Sequence, residues 1–472
     1  MLAALAVVLS CRTSAPPGGA PFAPIVLPQP VPGAARGVAS AGWRDGALCD
    51  VSRVPYAVTN GTNATLALQR AIDDCGDLPG GGTVLVPREL TLHTASLWLR
   101  SNLTLRVLGT LRSTATGSGA LGSASLDDAP VVYTRRNSLM VEAHAGMLNG
   151  GRCVRLKQPR VGWDDCAEWR KLANVVIEGG GTGVLDGDGD DWYKVFAPAH
   201  PALGNTRPVM LDLLWVDGLT IRGLTITRPG YWCIHPCFAN NVRVVNNTVT
   251  TWNEFHANSN TDGADPDSSW NVYIAANDFA TGDDCISIKA GRDWSGRMVN
   301  ISTQNVLAER NRFLQGHGVS IGSETSGWVR NVTIRDSHLG GADLAVRIKT
   351  ARGRGGGAED IVFENLSGET KAGVQLTLNY KVPSPPPTNA TATPTIRRIT
   401  LRNVSAVTSK CTGSAVGEVC ALSCEGLEDS EIEDIAFDNV TITGGASGQQ
   451  CSHCRIVACS SFPEPSCASG HA

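Results

Sequence analysis

The run of roughly eighteen apolar residues that a membrane-spanning helix needs is nowhere in this chain of 472 residues. An excess of one charge is missing as well. Forty basic residues against 44 acidic ones leave a net charge of −4, without the clustered Lys/Arg footprint that nucleic-acid binding requires. Gly and Pro are too few for a collagenous or low-complexity chain: 52 and 25 make 77 of 472, about 16%. What is present is a 42% hydrophobic content, enough to bury a large core. Length alone would suggest about three domains.

The opening MLAALAVVLS and the small residues after Cys11 resemble the apolar and cleavage regions of an export signal, although a basic start is lacking. Residues 1–15 are therefore expected to be a signal segment and the Pro/Ala/Gly-rich residues 16–45 a flexible leader, with secretion as the destination. Fifteen cysteines become fourteen if Cys11 is lost, and an even count in an exported chain predicts disulfides. Zinc at Cys451, His453 and Cys454 is the lesser reading, because a second C-x-x-C is missing. Ten N-x-S/T sequons begin at Asn60, Asn63, Asn102, Asn246, Asn300, Asn331, Asn365, Asn389, Asn403 and Asn439. They fit glycosylation and equally fit turns that feed strands.

Short β-branched triplets, each led by Asn or Asp, start at Leu219, Val242, Val272, Val332, Ile361, Ile399 and Ile435, with a weaker one at Val306. They recur every 23 to 38 residues, with no helical stretch of crossover length between them, which excludes βαβ units. The economical solution is one all-β domain, a right-handed parallel β-helix (solenoid) over residues 46–445. A Cys-rich tail, 446–472, is expected to follow it. Residues 65–75 (TLALQRAIDDC) are read as an amphipathic helix capping the coil. Residues 381–395 (KVPSPPPTNATATPT) are read as a projecting loop.

Four clusters carry chemistry. Asn260-Thr261-Asp262-Gly263 is followed about one turn later by Gly282-Asp283-Asp284-Cys285, then by Gly316-His317-Gly318, then by Arg347-Ile348-Lys349. If Arg292–Gln304 bulges out, all four fall on neighbouring turns of one wall. Three carboxylates and an imidazole suit glycosidic hydrolysis, in which one carboxyl gives a proton to the leaving oxygen and another activates water. Crowded carboxylates raise the pKa of one of their number. Arg347 and Lys349 would hold the carboxylate of a sugar acid.

In NTDG (260–263), GDD (282–284), GHGVSIGSE (316–324) and RIK (347–349), with GGGTVLVP (80–87), GGGTGVLDGDGDDWY (179–193) and PGYWCIHP (229–236) around them, the chain resembles glycoside hydrolase family 28, the polygalacturonases. The resemblance implies Asp283 as general acid and Asp262 and Asp284 as the water-activating pair, with inversion at the anomeric carbon. It implies His317 as the group that tunes the acid, Arg347, Lys349 and Tyr380 as substrate contacts, and Asn260 as an orienting residue. The substrate would be polygalacturonate of pectin, with no metal and no cofactor. The cap sequence YAVTNGTNAT (56–65) departs from the family pattern.

GSETSG (322–327) and the extra Arg352 and Arg354 after RIK look like the exo-acting branch, which releases galacturonate from chain ends. An endo-polygalacturonase and a rhamnogalacturonan or xylogalacturonan hydrolase are the alternatives within the hydrolases. A pectate lyase and a non-enzymatic wall-binding solenoid are the rivals outside them. Asp186, Asp188, Asp190 and Asp191 invite a calcium reading, but Asp191 and Ala197 stand where an EF-hand needs Gly and Glu. A structural turn is expected there.

Overall fold

A computed structural model describes residues 47–115, 131–136, 139–156, 166–192, 194, 198, 207–251, 260–381, 391–409, 421–444 and 449–460. The expected signal, the leader and most of the proline-rich loop lie outside these residues. The described chain is a right-handed parallel β-helix. Its core is a continuous column of Val, Ile, Leu and Phe running from Val51 to Phe437.

The repeat read in the sequence is the register of the coil. Val175 pairs with Leu219, Leu219 with Val242, Val242 with Val272 and Val272 with Val306. Val306 then pairs with Val332, Val332 with Ile361, Ile361 with Ile399 and Ile399 with Ile435. The weak member at Val306 stands in the same row as the rest. Before each of these residues the chain turns a corner through the left-handed region. Asn174, Asn241, Asn271, Asn305, Asn331, Asp360, Arg398 and Asp434 all have φ between 51 and 60°. Asn and Asp tolerate that conformation better than other side-chain-bearing residues, which is why they lead most of the triplets; Ile399 follows Arg398 instead, and Leu219 follows Gly218 (φ 78°).

At these corners the amides also bond from turn to turn. Asn271 donates to Asn240, Asn305 to Asn271 and Asn331 to Asn305, at 2.8–3.1 Å. A second file runs Asn439 to Asn403 to Asn365 to Asp336. A third, fully buried, links Asn247, Asn277 and Asn311. Five sequon asparagines (Asn102, Asn331, Asn365, Asn403 and Asn439) thus lie in ladders, as the turn reading of the sequons predicted.

Helix α1, Thr65–Gly76, covers the first turn with Leu68, Ala71, Ile72 and Cys75 buried. The Cys49–Cys75 disulfide fixes it to the strand Ala47–Asp50. At the other end the strands Gln449–Ser452 and Cys454–Ser460 stack as further rungs, so the coil continues into the cysteine-rich segment. Cys454 is bonded to Cys424 and Cys451 is also disulfide-bonded, which removes both thiols from a zinc site. In the segment expected to bulge, a second helix, α2, spans Asp293–Val299. In the acidic turn, Arg228 pairs with Asp186 and Asp188, and Arg112 with Asp186, so it is an ion-paired turn.

Candidate active site

One strand series carries Arg347 and Lys349; Asn260, Asp262, Asp283, Asp284 and His317 lie in turns that lead into it, and Tyr380 just after it. Ile234–Cys237, the bridged residues 264–267, Ile286–Ile288, Val319–Gly322 and the ends of Val329–Lys349 and Gly357–Thr377 lie side by side in that order. Apolar side chains of this series point into the core, so the residues between them point out. Ser287 is thereby in register with Ser320, Ser320 with Arg347, and Arg347 with Gln375. The 263 N–H donates to the Asp284 carbonyl at 2.9 Å, which sets the two carboxylate turns on adjacent rungs. Gly316 has φ 104°, and a Cβ there would collide with Thr281 Oγ1 and the Asp283 carbonyl. Only glycine lets the His317 turn approach so closely.

The sequence-predicted residues come together as follows. His317 Nδ1 lies 3.0 Å from Asp283 Oδ1 and 3.4 Å from Asp284 Oδ1. Lys349 Nζ is 2.9 Å from Asp284 Oδ2, and Arg347 Nη1 3.4 Å from Asp284 Oδ1. Ser320 donates to Asp284 Oδ1 at 2.6 Å. Tyr380 sits over both cations, its ring centroid 5.7 Å from the guanidinium of Arg347 and 5.3 Å from Lys349 Nζ. Asn260 acts through its backbone, whose N–H donates to Asp283 Oδ2 at 2.8 Å; its side-chain oxygen accepts from Arg207 at 3.5 Å. Asp262 is buried, its Oδ2 3.6 Å from Lys289 Nζ.

The electrostatics divide the carboxyls. Burial would raise Asp283 and Asp284, but His317 at both, and Lys349 and Arg347 at Asp284, hold them below their ordinary values. Burial opposes protonation of His317, yet its two carboxylate neighbours push it up to about 9. Asp262 goes the other way. Burial, then Asp265 and Asp283, raise it well above the usual carboxylate range. The crowding expected from the sequence therefore raises Asp262, and in the unliganded site Asp283 is an anion beside an imidazolium.

Sequence reasoning missed Asp265, Lys289, Glu324, Ser320 and Gln375. For Asp265, Lys289 and Gln375 the signal was the polar–apolar–polar triplet: Asp265-Pro266-Asp267, Ser287-Ile288-Lys289 and Gln375-Leu376-Thr377 repeat the pattern of Arg347-Ile348-Lys349. It also misplaced Arg354. That residue is buried against Asp293 and Glu324, and Arg352 pairs with Asp429, so neither is a cation waiting for substrate. Among the described residues, two groups have ligand atoms close enough for a metal ion: Asp283, Asp284 and His317, and the buried His235, Cys237 and Asp267. In the first, Arg347 and Lys349 already supply positive charge. In the second, His235 Nδ1 lies 3.1 Å from Asp212 and Nε2 3.7 Å from Asp267, an imidazole between two carboxylates.

The family model described as glycosyl hydrolases family 28 matches residues 155–461. A probable polygalacturonase of Vitis vinifera is 28% identical over 274 residues, 57% of this chain and 53% of that protein. An exo-poly-alpha-D-galacturonosidase of Dickeya chrysanthemi is 29% identical over 359 residues, 67% and 54%. The chain thus spans about half the length of these curated relatives. Among solved structures, the hyperthermoactive exopolygalacturonase from Thermotoga maritima superposes with a TM-score of 0.66 at 24% identity, covering 87% of this chain and 91% of that one. That likeness is one of fold.

Proposed function

Because the chain belongs to glycosyl hydrolases family 28, we propose that it is a secreted polygalacturonase that hydrolyses α-1,4-galacturonosyl bonds of pectin with inversion, acting from chain ends. The observation that carries this reading is the meeting of Asp283, Asp284, His317, Arg347 and Lys349 around one point. A galacturonate carboxylate entering beside Arg347 and Lys349 takes over part of the positive charge now given to Asp284. Asp283 and Asp284 then become more basic, and the His317 proton, 3.0 Å away, passes to Asp283. Asp283 gives that proton to the glycosidic oxygen while Asp262 and Asp284 orient water and take its proton. Tyr380 covers the bound carboxylate.

For end-wise action the support is enclosure. Arg347 is 2% exposed, Lys349 6% and Asp262 2%, which suits a chain end better than a chain passing through. The relatives are of both kinds: the Dickeya exo-poly-alpha-D-galacturonosidase and, at the same 29% identity, the endopolygalacturonase I of Aspergillus niger.

The test is incubation with polygalacturonate, reading reducing ends, unsaturated-uronide absorbance and early product length. Monomer from the outset without absorbance is expected. Random oligomers would make it endo-acting, and rising absorbance would make it a lyase. Asp283→Asn should lower kcat by at least a factor of about 10²–10⁴, the usual worth of a general acid, with the melting curve unchanged.

A further inference from the structure

The motif-derived carboxylates leave out two groups that the fold presses against Asp262. Asp265 lies three residues on in the same turn and Lys289 closes the strand on the next; both are buried. Lys289 Nζ is 3.6 Å from Asp262 Oδ2, 3.5 Å from Asp265 Oδ1 and 3.4 Å from Glu324 Oε2. It also lies 4.6 Å from the centroid of the Trp232 ring. Asp262 Oδ1 and both carboxyl oxygens of Asp265 are buried and receive no donor. Ionised carboxyls only accept, so a proton held between two carboxyls buried at one ammonium supplies a donor that the side chains around them do not.

Charge accounting gives the same answer. Around Lys289 stand three carboxyls and one ammonium. Burial would raise Glu324, but Lys289, Arg354 and Arg292 hold it low, so Glu324 is ionised. Burial pushes Asp265 up to about 7, against the pull of Lys289 and His235, and Asp262 is raised as well. The other charged groups acting on the pair are Asp283 and Asp284 on the next turn.

We propose that Asp262 and Asp265 hold one proton between them, and that Lys289 is the positioning residue that keeps the pair at a single negative charge, so that Asp262 can accept a proton from the attacking water. The inference rests on the functional reading above. The pair takes that proton, becomes neutral, and returns it to solvent before the next turnover. The hydroxide equivalent goes to the anomeric carbon, and the leaving oxygen takes its proton from Asp283. Asp265 is likewise a positioning residue, since it acts through Asp262.

The two partners should act with opposite sign. In the full chain, Lys289→Met should move the acidic limb of kcat/KM up by about one to three pH units, the range for loss of a close opposite charge. Asp265→Asn should move it down, the double variant should return it toward the wild type, and Lys289→Arg should leave it in place. Activity lost in both single variants with an unmoved limb overturns the proposal. Thermal melting needs no substrate. A carboxyl raised by folding stabilises at low pH and loses that contribution as pH rises through the folded value. The wild-type Tm should therefore fall through about pH 7, and Asp265→Asn should lack that step. A wild type without the step refutes the shared proton whatever the substrate. A step without cleavage of any pectic polymer supports the shared proton and overturns the functional reading alone.

Discussion

At the scale of single residues, the site is a contest for positive charge. Asp284 holds Lys349, Arg347 and the nearer side of His317. His317 is pushed up to about 9 by its carboxylate neighbours, against about 6.5 for a free histidine. A histidine raised by folding stabilises fully below the unfolded value and loses that contribution as pH rises through the folded one. The gap in Tm between wild type and His317→Asn should therefore be widest near pH 6 and close above about pH 9, measured by calorimetry. Asp262, Asp283, Asp284 and His317 were legible in the sequence because short turn motifs mark them. Lys289 was not, because Ser-Ile-Lys reads like any half-buried strand. Its meaning comes from Asp262 lying one turn away and Glu324 on the next turn. Arg354 failed for the converse reason: in sequence it stands beside RIK, but its partners Asp293 and Glu324 lie far back along the chain.

At the scale of elements, polar ladders hold each turn to the next. Asn277 donates to the Val244 carbonyl and to Asn311, and accepts from the backbone and side chain of Asn247, all at about 3 Å. Asn277→Ala orphans several buried groups, at about 1–3 kcal/mol each. A loss of unfolding free energy of that order, read as a lower urea midpoint, is expected, with activity per folded molecule retained. On the outside, Glu359 is held by Arg330, Arg397 and Arg398. Burial would raise its pKa, but these arginines bring it down to about 2. Its contribution is present above the unfolded value and is lost as pH falls through about 2. Acid unfolding of Glu359→Gln should therefore approach that of the wild type at the lowest pH. The Asn-led triplets made the strands legible. The helix Asp293–Val299 was not foreseen, because Arg354 and the Gly353 carbonyl, more than fifty residues on, are what brace it.

At the scale of the molecule, spacing rather than length was informative: eight triplets in one row make a single coil, where length had suggested three domains. The net charge of −4 would set the whole protein against the polyanionic substrate proposed above, and long-range repulsion is screened within about 10 Å at 0.1 M salt. On polygalacturonate at pH 7, kcat/KM should rise from low to moderate ionic strength, while a positively steered enzyme would slow. The helix Thr65–Gly76 has a larger consequence than its size suggests. It lies over the first strand of a structure whose every turn is a template for the next. Without it, the backbone groups of Ala47–Asp50 would be open to any parallel strand. The coil has no built-in length; among the described residues the disulfide-tied helix is what closes this end against a further parallel rung.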